Sequence, residues 1–518
     1  MVMPDSTEYY GYLKIFYGQE PMSEWNIVRG PSFPLILFLS TVFFGNNQRG
    51  ILIGSFILFC IMLIIGFKFI KRINFRNKFE KVVCFSLYIL GIMFNPMIIG
   101  YMHGLLTESV AIPMFFISVL LAVKWMKQGL KLWKKITLSI LIVISTVFMW
   151  FVKQPYVFVA LAPALIAWII AIVDKPKLKN FIYRTSVILI TIISVVVSIK
   201  IWNTILIKNN VDMDTGRDTN SFIKEAVING DTAFSIDFYP EHYEKEFILE
   251  SDVISSEDKK KIVDIFDGKS EYKSFKLINV FGSFSSREED SIVEKIVLYS
   301  KEEKYTTADA LKMYFKLFVK YPQKTLKSYV ANYLAIADIV PSVRHKDANV
   351  YYPSTVSGYY FENQSIGYSI YNSKENMLWL DESHHLYKNV ENLKTENKSN
   401  SKINRIIYSD FGAVNFTFKV TMLGLPILFV ALIFVLIIEK KRKLENSNFK
   451  IAFVFIGSSF IHMIFHAVTG AIIDRYATPI WAGCIIAILI LVFEKWGKKN
   501  NNDMEIPTEV KLNEETSK

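Results

Sequence analysis

Nine apolar runs, at residues 51–70, 82–99, 105–123, 136–152, 155–173, 185–207, 418–438, 451–469 and 478–493, constrain this chain more than any other feature. Crossing about 30 Å of hydrocarbon takes roughly 20 apolar residues in a helix. Inside a bilayer only helices and closed barrels satisfy their own backbone hydrogen bonds. Such runs predict an all-α polytopic membrane bundle, in keeping with a sequence that is 52% hydrophobic and 15% aromatic. A formal net charge of +11 would point a soluble chain towards nucleic acid. Here the basic residues crowd beside the spans, so topology accounts for them and no nucleic-acid partner is expected.

The loops alternate in charge. "KFIKRINFRNKFEK" (68–81) carries six basic residues and one acidic, and "KWMKQGLKLWKK" (124–135) carries five lysines and no acid. "DKPKLKNFIYR" (174–184) and "EKKRKLENSNFK" (439–450) are also basic, whereas 82–123 contains no Lys or Arg. The positive-inside rule puts the basic loops in the cytoplasm. The polar tail 494–518 joins them, and Asp474 and Arg475 fall outside. The Ile-, Lys- and Asn-rich composition suggests a bacterial plasma membrane. Cys60, Cys84 and Cys484 lie within apolar runs and read as packing residues.

The expected organisation is an outer N-terminal segment (1–49), six spans (50–207), an extracytoplasmic domain (208–410) and three spans (411–493). In the N-terminal segment "PSFPLILFLSTVFFG" is short and holds two prolines, which fits an interfacial or re-entrant helix better than a span. The outer domain reads as mixed α/β. Within it, "TTADALKMYFKLFVKYPQKTLKSYVANYLAIADIVP" suggests two helices broken at Pro322 with a Thr306 or Thr307 cap. The tyrosine-rich stretch 351–373 suggests loops or short strands.

Ionisable groups in or beside spans are rare and usually line a substrate path. On the outer side they include Asp5, Glu8, Glu20 and Arg29, then His103 and Glu108, Lys153, His462 and His466, and Asp474 and Arg475. Each has a plainer reading. His462 and His466 are spaced for a metal but lack an evident third ligand, so interhelical hydrogen bonding competes with ligation. Glu108 could cap a helix, Lys153 could anchor at the interface, and Asp474 with Arg475 could form a structural ion pair. Their shared face is what groups them.

Three passages resemble the GT-C glycosyltransferases, in the branch of the protein O-mannosyltransferases and lipid A aminoarabinose transferases. They are "PDSTEYYGYLKIFYG" followed by "RGPSFPLILFLSTVFFG", then "LLTESVAIPMFFISVLLAV", then "DRYATPIWAGCIIAILI". The resemblance covers roughly 1–207 and 411–493 and leaves the outer domain unmatched. It implies a GT-C-like helical bundle that moves a sugar from a polyprenyl-phosphate carrier to a glycan, lipid or protein acceptor on the outer face. It implies Asp5 as the base, with Glu8 as second choice and Glu108 as a supporting acid or acceptor orienter. Arg475 becomes a clamp for the lipid phosphate, since a guanidinium binds phosphate oxygens as a fork. Lys153 or Arg29 would be a second cation, with His103, Tyr476 and His466 around the donor. No cofactor is expected. Some relatives use a divalent cation, but the N-terminal loop has no Asp-x-Asp pair, so none is expected to be essential.

Two other readings stay open. An outer-face polysaccharide polymerase or ligase would draw on "VRHKD" (343–347), and a transporter would require inverted repeats and mid-bilayer charges. The resemblance also predicts a further span before Asp5, as does parity. Nine spans with a cytoplasmic tail place Met1 outside, so an apolar extension of about 20–30 residues is expected upstream.

Overall fold

The computed structural model describes residues 4–25, 29–46, 48–103, 106–127, 129–173, 178–211, 413–441, 447–469 and 474–495, with isolated positions between 256 and 339. The described residues are mostly helical, and none of them is in a strand. The mixed α/β expectation for 208–410, the tyrosine-rich stretch and the "VRHKD" cluster lie outside them almost entirely. At the expected break, Pro322 is itself helical, as are Val319 and Leu326.

Among the described residues twelve α-helices can be bounded, in order: α1 (Pro4–Phe16), α2 (Ser32–Phe44), α3 (Gln48–Ile70), α4 (Lys78–Tyr88), α5 (Pro96–His103), α6 (Glu108–Met126), α7 (Leu132–Val152), α8 (Val157–Val173), α9 (Leu178–Lys208), α10 (Ala413–Lys441), α11 (Ser447–Thr469) and α12 (Thr478–Phe493). Seven described helical segments, in α3, α6, α7, α8, α9, α10 and α11, are long and apolar enough to cross a membrane. This makes the chain a multi-pass membrane protein.

The other two apolar runs differ from simple spans, for local reasons. The run 82–99 is broken into α4, a π-turn at Ile89–Met93 and α5. Asn95 makes the break: its Nδ2 donates to the Gly91 carbonyl at 3.0 Å, and its Oδ1 accepts from the Met97 and Ile98 amides at 3.0 and 3.3 Å. Pro96 begins α5, where a missing N–H costs nothing and its ring disfavours helix in the residue before. The pieces still carry the chain from the end at Asn77 to the end at Glu108. The run 478–493 is a 16-residue helix of about 24 Å, entered through a 3₁₀ turn at Asp474–Ala477. Helix α2, with 13 residues, measures about 20 Å, which is too short to span.

Burial separates centre from rim. In α8 and α11, 72% of the apolar window is buried, against 17% in α10 and 28% in α9. The central helices approach closely through glycine. A Cβ at Gly483 of α12 would run into the Phe115 ring of α6, and one at Gly457 of α11 would sit 2.7 Å from Ile166 of α8. Small residues permit such packing where the surrounding lipid gives helices no hydrophobic drive to associate.

The two ends of the bundle differ in chemistry. At one end meet the basic loops. Burial lowers the proton affinity of Arg72, and burial followed by repulsion from Arg72 and Lys124 does the same for Lys127. Arg184 donates to the Met126 carbonyl at 2.9 Å, which closes the last turn of α6. Glu494, only 1% exposed, accepts from the Asn74 amide at 3.1 Å, from Asn74 Nδ2 at 2.9 Å and from Asn448 Nδ2 at 2.8 Å. It thereby ties α11, α12 and the loop after α3 together. Removing a buried acceptor leaves donors unsatisfied at about 1–3 kcal/mol each. Glu494→Ala is therefore expected to lower the thermal midpoint of the extracted protein clearly, and Glu494→Gln to lower it less. Equal midpoints for the alanine variant and the wild type would contradict this role.

Candidate functional site

The end away from the basic loops holds the charged and aromatic cluster. Helix α6 separates the ends by about 28 Å over its 19 residues, close to the thickness of a hydrocarbon core. Glu108 stands at its first position, where a carboxylate is favoured by the helix dipole. It is fully buried. Tyr156 Oη donates to Glu108 Oε1 at 2.8 Å, and Thr107 Oγ1 donates to Oε2 at 3.3 Å.

Tyr156 reaches Glu108 because of how α7 ends. Lys153 is extended, and Gln154–Tyr156 form a 3₁₀ turn through Pro155 that returns the chain into the bundle as α8. That turn buries Tyr156 and leaves the Lys153 ammonium 4.8 Å above the Tyr476 ring. Tyr476 belongs to the 3₁₀ turn before α12, and its ring meets Tyr156 edge-on at 5.5 Å. From α11, the His462 ring lies nearly parallel to Tyr156 at 6.4 Å, and the His466 ring lies 5.1 Å from Tyr476.

His462 is fully buried, and its Nε2 donates to the Tyr476 carbonyl at 2.9 Å. This bond holds the 3₁₀ turn, and with it the backbone of Asp474 and Arg475, against α11. It leaves His462 Nδ1 without a hydrogen-bond partner among the described residues, and the buried Thr478 Oγ1 beside the turn is in the same position. His462 thus serves an interhelical hydrogen bond. Among the described residues no three His, Cys, Asp or Glu side chains group closely enough to hold a metal ion.

The N-terminal segment reaches the same end. Its helix α1 packs through Tyr9 edge-on against Phe33 at 4.6 Å, and through Tyr12 stacked on Trp25 at 4.3 Å. Arg29 lies 5.4 Å from the Tyr9 ring centre, so it braces α1. A Cβ at Gly30 would collide with the Phe151 carbonyl, two residues before Lys153. Trp25 also meets Trp202 of α9 at 5.4 Å. Glu20 is paired with Lys14 at 3.0 Å, beside that segment.

The structure therefore brings together Glu108, Lys153, His466 and Tyr476 from the sequence-derived set, with Arg29 beside them on the arm that packs at Phe151. Asp5 and Glu8 lie in α1, His103 ends α5, and Arg475 lies in the 3₁₀ turn; their side chains are outside what is described. Tyr156 was missed. Its signal was present in "KQPY", where a proline turn follows a span and points an aromatic hydroxyl inwards. Compared with models of known protein families, with curated proteins and with solved structures, the chain finds no match.

Proposed function

We propose that this chain is a GT-C-type membrane glycosyltransferase, taking a sugar from a polyprenyl-phosphate carrier and passing it to a cell-envelope acceptor outside the plasma membrane. The observation that supports this reading is the convergence of Glu108, Lys153, Tyr156, His462 and Tyr476 at one end of the bundle. That end lies away from the basic loops and beside the turn that carries Arg475. A lipid-linked donor needs a cation at headgroup depth, an aromatic surface for the sugar and carboxylates for the acceptor. The cluster offers a cation in Lys153, rings in Tyr156 and Tyr476 and a carboxylate in Glu108.

In the proposed reaction the acceptor hydroxyl oxygen bonds to the anomeric carbon while the bond from that carbon to the phosphate oxygen breaks. The electron pair leaves with the carrier phosphate, and the hydroxyl proton passes to Asp5. Arg475 and Lys153 offset the charge left on the phosphate. Glu108, held by Tyr156, orients the acceptor.

The test is transfer in vesicles reconstituted with the full chain and a set of polyprenyl-phosphate sugars. Arg475→Lys keeps the charge and loses the fork, so the donor KM is expected to rise about tenfold, equivalent to one weakened charged hydrogen bond. Absence of transfer from every carrier-linked sugar, with protein correctly inserted, would remove the proposal. An unchanged KM in the lysine variant would reassign Arg475 to a structural pair.

A further inference from the structure

At the basic end, Lys78 and Lys81 of α4 and Lys495 after α12 surround one cavity of about 510 Å³. The buried Ile73, with Asn74, Phe75 and Asn77, completes the lining. Among the described residues the lining holds three positive charges and no carboxylate. The nearest acid on α4, Glu80, is occupied: it accepts from the Arg76 amide at 3.0 Å and lies 4.0 Å from the Arg76 guanidinium. Asn74 and Asn77 do not supply the missing charge. Asn74 Nδ2 is bound to Glu494, and Asn77 Oδ1 accepts from the Glu80 amide at 2.8 Å.

Two lysines near the start of a helix oppose its dipole, whose positive end favours anions. The convergence is also not a matter of neighbouring sequence. Lys495 is brought to α4 by its own amide, which donates to the Asn74 carbonyl at 3.1 Å, and by Phe493, whose ring lies 6.5 Å from Phe75. The Glu494 clasp fixes that geometry. Three cations held around one open cleft act on a ligand inside the roughly 8 Å screening length of physiological salt.

We propose that this cavity binds the phosphodiester headgroup of an anionic membrane lipid such as phosphatidylglycerol. The source is a lipid rather than free phosphate because exposed apolar side chains adjoin the lysines along α4. Phe79 and Val82 of α4, next to the lysines, are 75% and 63% exposed. With Phe85, whose ring lies 6.3 Å from that of Phe75, they give α4 an apolar surface that acyl chains could cover beside the lysines. Basic pockets at the ends of transmembrane helices bind anionic headgroups in this way. The site lies at the opposite end of the bundle from the cluster around Glu108, and the proposal does not depend on sugar transfer.

The experiment uses the full chain in detergent and in nanodiscs, with native mass spectrometry for retained lipid and thermal midpoints for binding. Wild type is expected to retain phosphatidylglycerol over phosphatidylcholine, and its midpoint is expected to rise with added phosphatidylglycerol. The triple variant Lys78→Gln, Lys81→Gln, Lys495→Gln is expected to bind phosphatidylglycerol on the order of one hundredfold more weakly, about fivefold per lysine. These side chains are exposed, so the fold is expected to persist. Lys→Arg replacement at the same three positions is expected to keep binding. As a control for diffuse charge, Lys131→Gln, Lys134→Gln, Lys135→Gln removes the same charge elsewhere on the basic end and is expected to leave binding unchanged. Equal weakening in the control, or none in the first triple variant, overturns the proposal. A midpoint rise from inorganic phosphate equal to that from phosphatidylglycerol overturns the lipid assignment.

Discussion

Asp5→Asn is expected to abolish sugar transfer while leaving membrane insertion and the thermal midpoint close to wild type. The amide keeps the shape of the carboxylate and cannot accept the acceptor's proton. General-base contributions run to roughly 10²–10⁴-fold, which sets the size of the loss. Asp5 follows Pro4 in the first turn of α1, where a carboxylate gains about 0.3–1 kcal/mol from the helix dipole, so the cost to stability stays small. The rest of α1 is held at the candidate site. Tyr9 and Tyr12 are buried against Phe33 and Trp25, and Gly30 brings the arm against Phe151. A base carried on this helix is therefore tied to the end of the bundle where Lys153 lies. Turnover measured in vesicles decides the assignment. If Asp5→Asn retains activity and Glu8→Gln does not, the base is Glu8. If both variants remain fully active, α1 does not supply the base.

What the sequence conveys depends on how local the cause is. Length and hydropathy mark seven of the nine runs as helices of spanning length because a bilayer acts on each segment separately. Loop charge is similarly local, and the basic loops do meet at one end through Arg72, Lys127 and Arg184. The break in the run 82–99 was legible only in hindsight. "NP" at Asn95-Pro96 interrupts hydropathy by one polar residue, yet the Asn95 side chain rebuilds the hydrogen bonds at the break. The site was legible as a face and not as a set of contacts. Glu108, Lys153 and His466 were grouped by topology and Tyr476 by the resemblance, but nothing in their spacing shows that Tyr156 bonds Glu108 across 48 positions. The Glu494 clasp was invisible for the same reason, since its partner Asn74 is 420 residues away.

Glu108→Gln is expected to lower kcat by about a hundredfold with little change in the donor KM, because the variant loses the charge that orients the acceptor and keeps the volume that packs the helix. The geometry makes this substitution conservative for folding. Glutamine still offers an oxygen to Tyr156 Oη, now 2.8 Å from a carboxylate oxygen, and can remain at the first position of α6. A plain capping role predicts the opposite pattern: a lower thermal midpoint and an unaltered kcat in the folded fraction. Tyr156→Phe separates the two further. It removes the hydroxyl that fixes the carboxylate and keeps the ring between His462 and Tyr476, so a loss of about tenfold is expected, near the worth of one hydrogen bond. The double variant should fall no further than Glu108→Gln alone, since residues acting as one unit are non-additive. Glu108→Asp, which restores the charge one methylene short, is expected to recover part of kcat. Full activity in Glu108→Gln, or losses in the double variant that simply multiply, would show that Glu108 and Tyr156 do not act together in positioning the acceptor.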